Sequence, residues 1–155
     1  MSKKPANQNA SKRMARLAAV QGLYRIALTA HTAQDIIRDF RDHPQDFATE
    51  MENGEKLKDV DPELFGAIVT GVTENDAAID EMLAGAFDSK VSAQRVEILL
   101  RAILRAGAFE LHHHGKVPAG VIINDYVDIA HAFFNAKEPG LVNGVLDKLA
   151  KNLRS

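Results

Sequence analysis

Lys12, Arg13 and Arg16 are the residues of this 155-residue chain best suited to chemistry with a partner. Ammonium and guanidinium groups meet the oxygens of phosphates and other polyanions. The surrounding charge points the same way. The first 34 residues hold six bases (Lys3, Lys4, Lys12, Arg13, Arg16, Arg25) and no Asp or Glu, residues 35–88 hold 15 acids against 4 bases, and residues 89–155 hold 6 acids against 9 bases. A net charge of −2 therefore conceals a cationic end on an acidic body, an arrangement that suits a polyanion.

Two other constellations could carry chemistry. His112, His113 and His114 suggest a metal site, but consecutive helical residues point about 100° apart and cannot converge on one ion while the helix persists. Asp125, Asp128 and His131 share a helix face and could transfer protons or bind a metal, yet no nucleophile or second ligand cluster accompanies them, which favours a solvated stripe. There is no phosphate-cradling glycine loop, Walker lysine, Gly-x-Ser-x-Gly elbow or His-Glu-x-x-His helix. No enzyme, cofactor or metal is expected.

Helices must position these residues. Residues 10–30 place Leu17, Val20, Tyr24, Ala27 and Leu28 on one broad face and leave Gln21 and Arg25 as a narrow polar stripe. Lys12, Arg13 and Arg16 project on the apolar side one or two turns earlier; because desolvating three cations is prohibitive, they are expected at the rim, beyond the core. A short helix over 33–42 precedes a polar stretch to Asp59, expected as a loop or frayed extension. Asp61-Pro62-Glu63 starts a helix that runs to about Gly85 and bends at Gly71.

Residues 91–114, after a Ser92 cap, form a central helix with Val96, Ile98, Leu100, Ile103, Leu104, Phe109 and Leu111 inward, and with Glu97, Arg101 and Arg105 on its thin polar stripe. Gly107 there costs about 1 kcal/mol of helix propensity, which close approach of a neighbouring helix offsets. Gly115 ends this helix. Pro118 starts one over 118–134 that turns Val121, Ile122, Tyr126, Ile129, Ala130 and Phe133 to the core and Asn124, Asp125, Asp128 and His131 to water. Pro139-Gly140 turns the chain into a last helix over 141–153, with Val142, Val145, Leu146, Leu149 and Leu153 at core spacing.

The expected organisation is all-α: a flexible basic tail over 1–9, then one domain over 10–155 with halves of about 10–88 and 89–155. Zero Cys excludes a disulfide framework. No apolar run approaches the roughly 18 residues of a membrane span, and Gln21 and Arg25 interrupt the only stretch that could imitate a signal peptide.

Lys12-Arg13-x-x-Arg16 leading to Ala19-Val20-Gln21-x-Leu23-Tyr24, then Ile103-Leu104-Arg105 and Phe109-Glu110-Leu111, Val117-Pro118, Ile123-Asn124-Asp125, and finally Leu141-Val142-Asn143-Gly144-Val145-Leu146-Asp147-Lys148 together resemble the NusB family. The match spans roughly residues 11–150, with almost nothing contributed by 29–59. The resemblance implies an all-α bundle of about seven helices in two three-helix halves, and a cytoplasmic, non-enzymatic transcription antitermination factor. Such a factor binds boxA-type single-stranded RNA of ribosomal RNA leader transcripts together with NusE, a small-subunit ribosomal protein, and the pair joins other Nus factors on RNA polymerase. Some members form homodimers that mask the RNA face. By position, the resemblance assigns RNA contact to Lys12, Arg13, Arg16, Gln21 and Tyr24, and a second part of the surface to Phe133, Leu141 and Asn143.

Structural roles compete for several of these. Tyr24 sits at a core-like period, Phe133 fits the core better than the surface, Gly144 suits close packing of the last helix, and Asn143 and Asn124 could bond neighbouring backbone. Met14 stands where relatives often have arginine, Leu141 where they have an aromatic, Asp125 where they have Glu and His131 where they have Lys, so the N-terminal cations carry more of the expected surface. NusE is expected on exposed parts of 61–85 and 91–114. The rival reading is a NusB-like interaction or homodimer scaffold without specific RNA binding; with the sequence ending at Ser155, an attached RNA methyltransferase domain is not expected.

Overall fold

The computed structural model describes residues 4–47, 60–86 and 97–154. Seven α-helices and one 3-10 turn account for these residues, with no strand among them: α1 (Lys4–Leu28), α2 (Ala33–Asp42), the 3-10 turn Pro44–Asp46, α3 (Pro62–Glu74), α4 (Asp76–Ala86), α5 (Ile98–His113), α6 (Ala119–Phe133) and α7 (Glu138–Leu153). The apolar periodicity of α5 explains its place. Ten of its residues are buried, and it packs against α1, α3, α4, α6 and α7. Helix α1 crosses both halves, touching α2 and α3 on one side and α5 and α6 on the other. The all-α expectation holds.

Local chemistry sets the helix ends. Asp61 caps α3, its carboxylate accepting from the Leu64 N–H at 3.1 Å, and its own N–H donates to the Ser11 carbonyl, which fastens the start of α3 to α1. Thr32 and Asp35 form a reciprocal capping box on α2. The expected bend at Gly71 falls instead at Asn75. There the side-chain amide donates to the Gly71 carbonyl, which already accepts the helical bond from the Asn75 N–H, and α4 begins at the next residue. Pro139 and Gly140 lie inside the first turn of α7 rather than before it, because a first-turn proline needs no N–H.

The segment expected as loop after residue 42 begins in order. Phe47 is buried against Phe40 and Phe65, at centroid distances of 5.1 and 6.2 Å, and the Arg25 guanidinium lies 4.1 Å over the Phe47 ring while donating to the Asp46 carbonyl. Arg25 therefore pins this turn to α1. Residues 48–59 and 87–96, with Ser92 and the first part of the helix expected over 91–114, lie outside the described residues.

Four large apolar side chains, and the small Ala27, depart from the expected core. Leu28, Ile98 and Phe133 are exposed because they stand at helix ends where neighbouring helices no longer cover them, and Val121 is exposed in the first turn of α6. The glycines separate by environment. A Cβ on Gly107 would meet Leu146 at 2.7 Å, so α7 approaches α5 closely there, as expected; one on Gly144 meets nothing within 4 Å, so the close packing expected at Gly144 is absent. A Cβ on Gly71 would lie 2.2 Å from the buried Phe109 ring. Gly71→Ala is expected to destabilise by about 1–3 kcal/mol through overpacking, whereas Gly144→Ala, on open helix surface, gains about 0.5–1 kcal/mol. Thermal melting of the two variants against the parent checks the opposite signs.

Candidate nucleic-acid interface

Arg16 is not at the rim. It is 2% exposed, and its guanidinium reaches across to α5 and α6: Nε and Nη2 donate to the two Glu110 oxygens at 2.6 and 2.8 Å, and Nη1 donates to Asp125 Oδ2 at 2.7 Å. The rim expectation fails because two carboxylates accompany the cation into the core, so it is not desolvated alone. Asp125, expected on the wet stripe, is buried for the same reason.

Glu110 is the hub. It is fully buried and also accepts from the Tyr126 hydroxyl at 2.6 Å and from His114 Nδ1 at 3.0 Å. Burial alone pushes its carboxyl up; the hydrogen bonds from His114, Arg16 and Tyr126 outweigh that and hold it at about 2. Burial is foremost at Asp125 too, and there it prevails over Arg16 and Arg13, raising the carboxyl above its ordinary value. Burial, reinforced by the Glu110 charge, pushes the Tyr126 phenol well up, which keeps it a donor.

Above this network opens a groove of about 720 Å3 between the start of α1, the α5–α6 turn and the first turns of α6. Asn9, Lys12 and Arg13 line it from α1, Lys116, Val117 and Pro118 from the turn, and Val121, Asn124, Asp125 and Asp128 from α6. Lys12 and Arg13 are half-buried and Lys116 is exposed. Arg13 stands 3.9 Å from Asp125, so the buried acid also anchors a cation of the groove wall. Lys12, Arg13 and Lys116 outnumber the lining acids Asp125 and Asp128, and with the exposed Val121 beside them the cleft suits an anion that also carries apolar surface.

The remaining candidates are dispersed. Gln21 and Tyr24 are half-buried and lie outside the groove, Tyr24 about 18 Å along α1 from Lys12 at the helical rise. Phe133 is 37% exposed, at the far end of α6 and about 13 Å from Asn124 by the same rise. Leu141 is half-buried against the core, and Asn143 is exposed on α7. Asn124, expected to tie helices together, is exposed on the groove wall. Met14 is wholly buried, so its identity removes no cation from the groove. Among the described residues no cluster of three His, Cys, Asp or Glu is arranged to hold a metal, and His113 stacks on Phe109 at 4.5 Å. No helix among them is long and apolar enough to cross a membrane.

Lys116 and the Glu110 hub were missed in the sequence. A single acid within the apolar run 106–111 and a single Arg within the apolar run 14–20 were the available signal, since two opposite charges each stranded on a buried face stabilise one another.

The family model described as the NusB family matches residues 13–151. The chain belongs to the NusB family. It is 42% identical over 141 residues to the transcription antitermination protein NusB of Bradyrhizobium sp. strain BTAi1, covering 91% of this chain and 82% of that protein. To the NusB of Caulobacter vibrioides it is 39% identical over 148 residues, with 96% and 97% covered. A NusB structure from T. maritima superposes with a TM-score of 0.71 at 22% identity, covering 92% of each chain. A second, described as antitermination factors NusB and NusE in complex with dsRNA, superposes at 0.70 with 23% identity, covering 90% of this chain and 96% of that one. At such identity these two likenesses establish the NusB fold.

Proposed function

We propose that this NusB-family protein is an RNA-binding transcription antitermination factor that takes boxA-type single-stranded RNA of ribosomal RNA leader transcripts, together with NusE, into an antitermination complex with other Nus factors and RNA polymerase in the cytoplasm. The observation that carries the proposal is the groove in which Lys12, Arg13 and Lys116 converge from two separate elements. Relatives about 40% identical bear the antitermination name, and a fold neighbour is described with NusE and dsRNA. Lys12, Arg13 and Lys116 supply phosphate contacts. Arg16 holds the groove floor from beneath. Tyr24, Gln21, Phe133, Leu141 and Asn143 extend the surface along α1 and across the α6–α7 end.

Titrating a fluorescent boxA-like RNA and a scrambled control, with and without NusE, tests this. Three engaged phosphates give a log–log salt slope of about −2.1, or roughly 20-fold weakening from 50 to 200 mM salt. Lys12→Ala/Arg13→Ala is expected to lower the slope by about 1.4, the share of two phosphates, while melting like the parent. Equal binding of both RNAs, or a double variant that binds as the parent does, moves the assignment to a protein-interaction or homodimer scaffold.

A further inference from the structure

Arg154, the last described residue, does something no helix periodicity requires. Its guanidinium crosses from the end of α7 to the α5–α6 turn, where Nε donates to the Leu111 carbonyl at 3.0 Å, Nη1 to the Val117 carbonyl at 2.6 Å and Nη2 to the His114 carbonyl at 2.9 Å, with the Glu110 carbonyl at 3.5 Å. The end of α5 carries partial negative charge, which the half-buried guanidinium offsets, and its donors add to the backbone bonds that the Glu110 and His114 carbonyls already accept from the His114 and Val117 N–H groups. The acceptors bracket the turn: Leu111 lies in the last turn of α5, and Val117 immediately precedes the Pro118 start of α6. Lys116 sits between two of the bonded carbonyls, and Lys116, Val117 and Pro118 form one wall of the groove.

We infer that Arg154 is a positioning residue for RNA: by bonding the carbonyls on both sides of Lys116 it fixes the turn in the shape that aims this lysine across the groove at Lys12 and Arg13. Arg154 itself touches no RNA. It acts through the backbone, and the fork of the guanidinium matters because three separate carbonyls are held by one rigid plane, which an ammonium cannot reproduce. The inference rests on the groove being the RNA site.

The test is a cycle of Arg154→Ala, Lys116→Ala and their double variant in the full chain, with Lys12→Ala/Arg13→Ala alongside and boxA-like RNA as the probe. Lys116→Ala is expected to weaken binding several-fold and to lower the salt slope by about 0.7, one phosphate's share. Arg154→Ala should match it in both, and the double variant should be no weaker than either single. Arg154→Lys, which keeps charge at the helix end and so protects folding, should recover only part of the loss. Backbone amide exchange over residues 112–118 should quicken in Arg154→Ala while exchange in α1 and α3 stays put.

Losses that add in the double variant, or an Arg154→Ala protein that melts earlier but keeps the parent's affinity and slope, overturn the inference. If Lys116→Ala is silent while Lys12→Ala/Arg13→Ala weakens binding, the groove stands and the positioning role falls. If none of the four changes binding, the RNA site itself is misplaced and the inference falls with it.

Discussion

Arg16→Ala is expected to lower the melting temperature by about 6–20 °C. Removing one partner of a buried ion pair costs about 3–5 kcal/mol, and each kcal/mol moves a domain of this size by roughly 2–4 °C. The loss falls at the upper end because Glu110 and Asp125 depend on the same guanidinium, and both stay buried when it goes. Arg16→Lys should fall between, retaining the charge without the two-pronged grip on Glu110. Circular dichroism at increasing temperature reads all three proteins, and an Arg16→Ala protein within 2 °C of the parent would show that the network contributes nothing net. A combined Lys12/Arg13/Arg16 alanine variant removes the buried network along with the groove cations, whereas Lys12→Ala/Arg13→Ala leaves the Arg16 bonds to Glu110 and Asp125 in place.

Glu110→Gln is the second large effect, and its signature is in pH. The folded carboxyl is held at about 2 against an ordinary 4.5, so the folded state favours the ionised form. The resulting stability is complete above pH 4.5 and is withdrawn as pH falls from 4.5 towards 2, amounting to something on the order of 3 kcal/mol. Asp125 runs the other way: its raised carboxyl costs stability when ionised, so acid relieves part of what Glu110 loses. Glu110→Gln should therefore begin less stable than the parent at pH 7, by about 3 kcal/mol, and lose less on acidification, bringing the two unfolding curves together near pH 2. Parallel curves over that range would remove Glu110 from its central position.

Helix type and order were legible because apolar spacing, Asp61-Pro62 and Pro118 are local signals, and local signals set helices. The break at Asn75 was not, since it depends on an amide choosing the Gly71 carbonyl over water. The rim position expected for Lys12 and Arg13 follows from charge, since an unpaired cation stays near water, and both line the groove. Arg16 was grouped with them for the same reason, but its surroundings are fixed by residues 94 and 109 positions away, and no helical period carries that information. Lys116 was passed over because a single lysine in a turn has no pattern; only the fold brings it opposite α1.

The distance along the chain between Arg16 and its partners also orders events during synthesis. A ribosome adding about 5–20 residues per second needs roughly 5–20 s to go from Arg16 to Asp125, 109 residues later. Until Glu110 is made, 94 residues after Arg16, the buried cation has neither of its acids, and until Lys116 follows the groove has only its α1 wall. The groove is therefore completed only late in translation, its cationic α1 wall made first and the facing walls last.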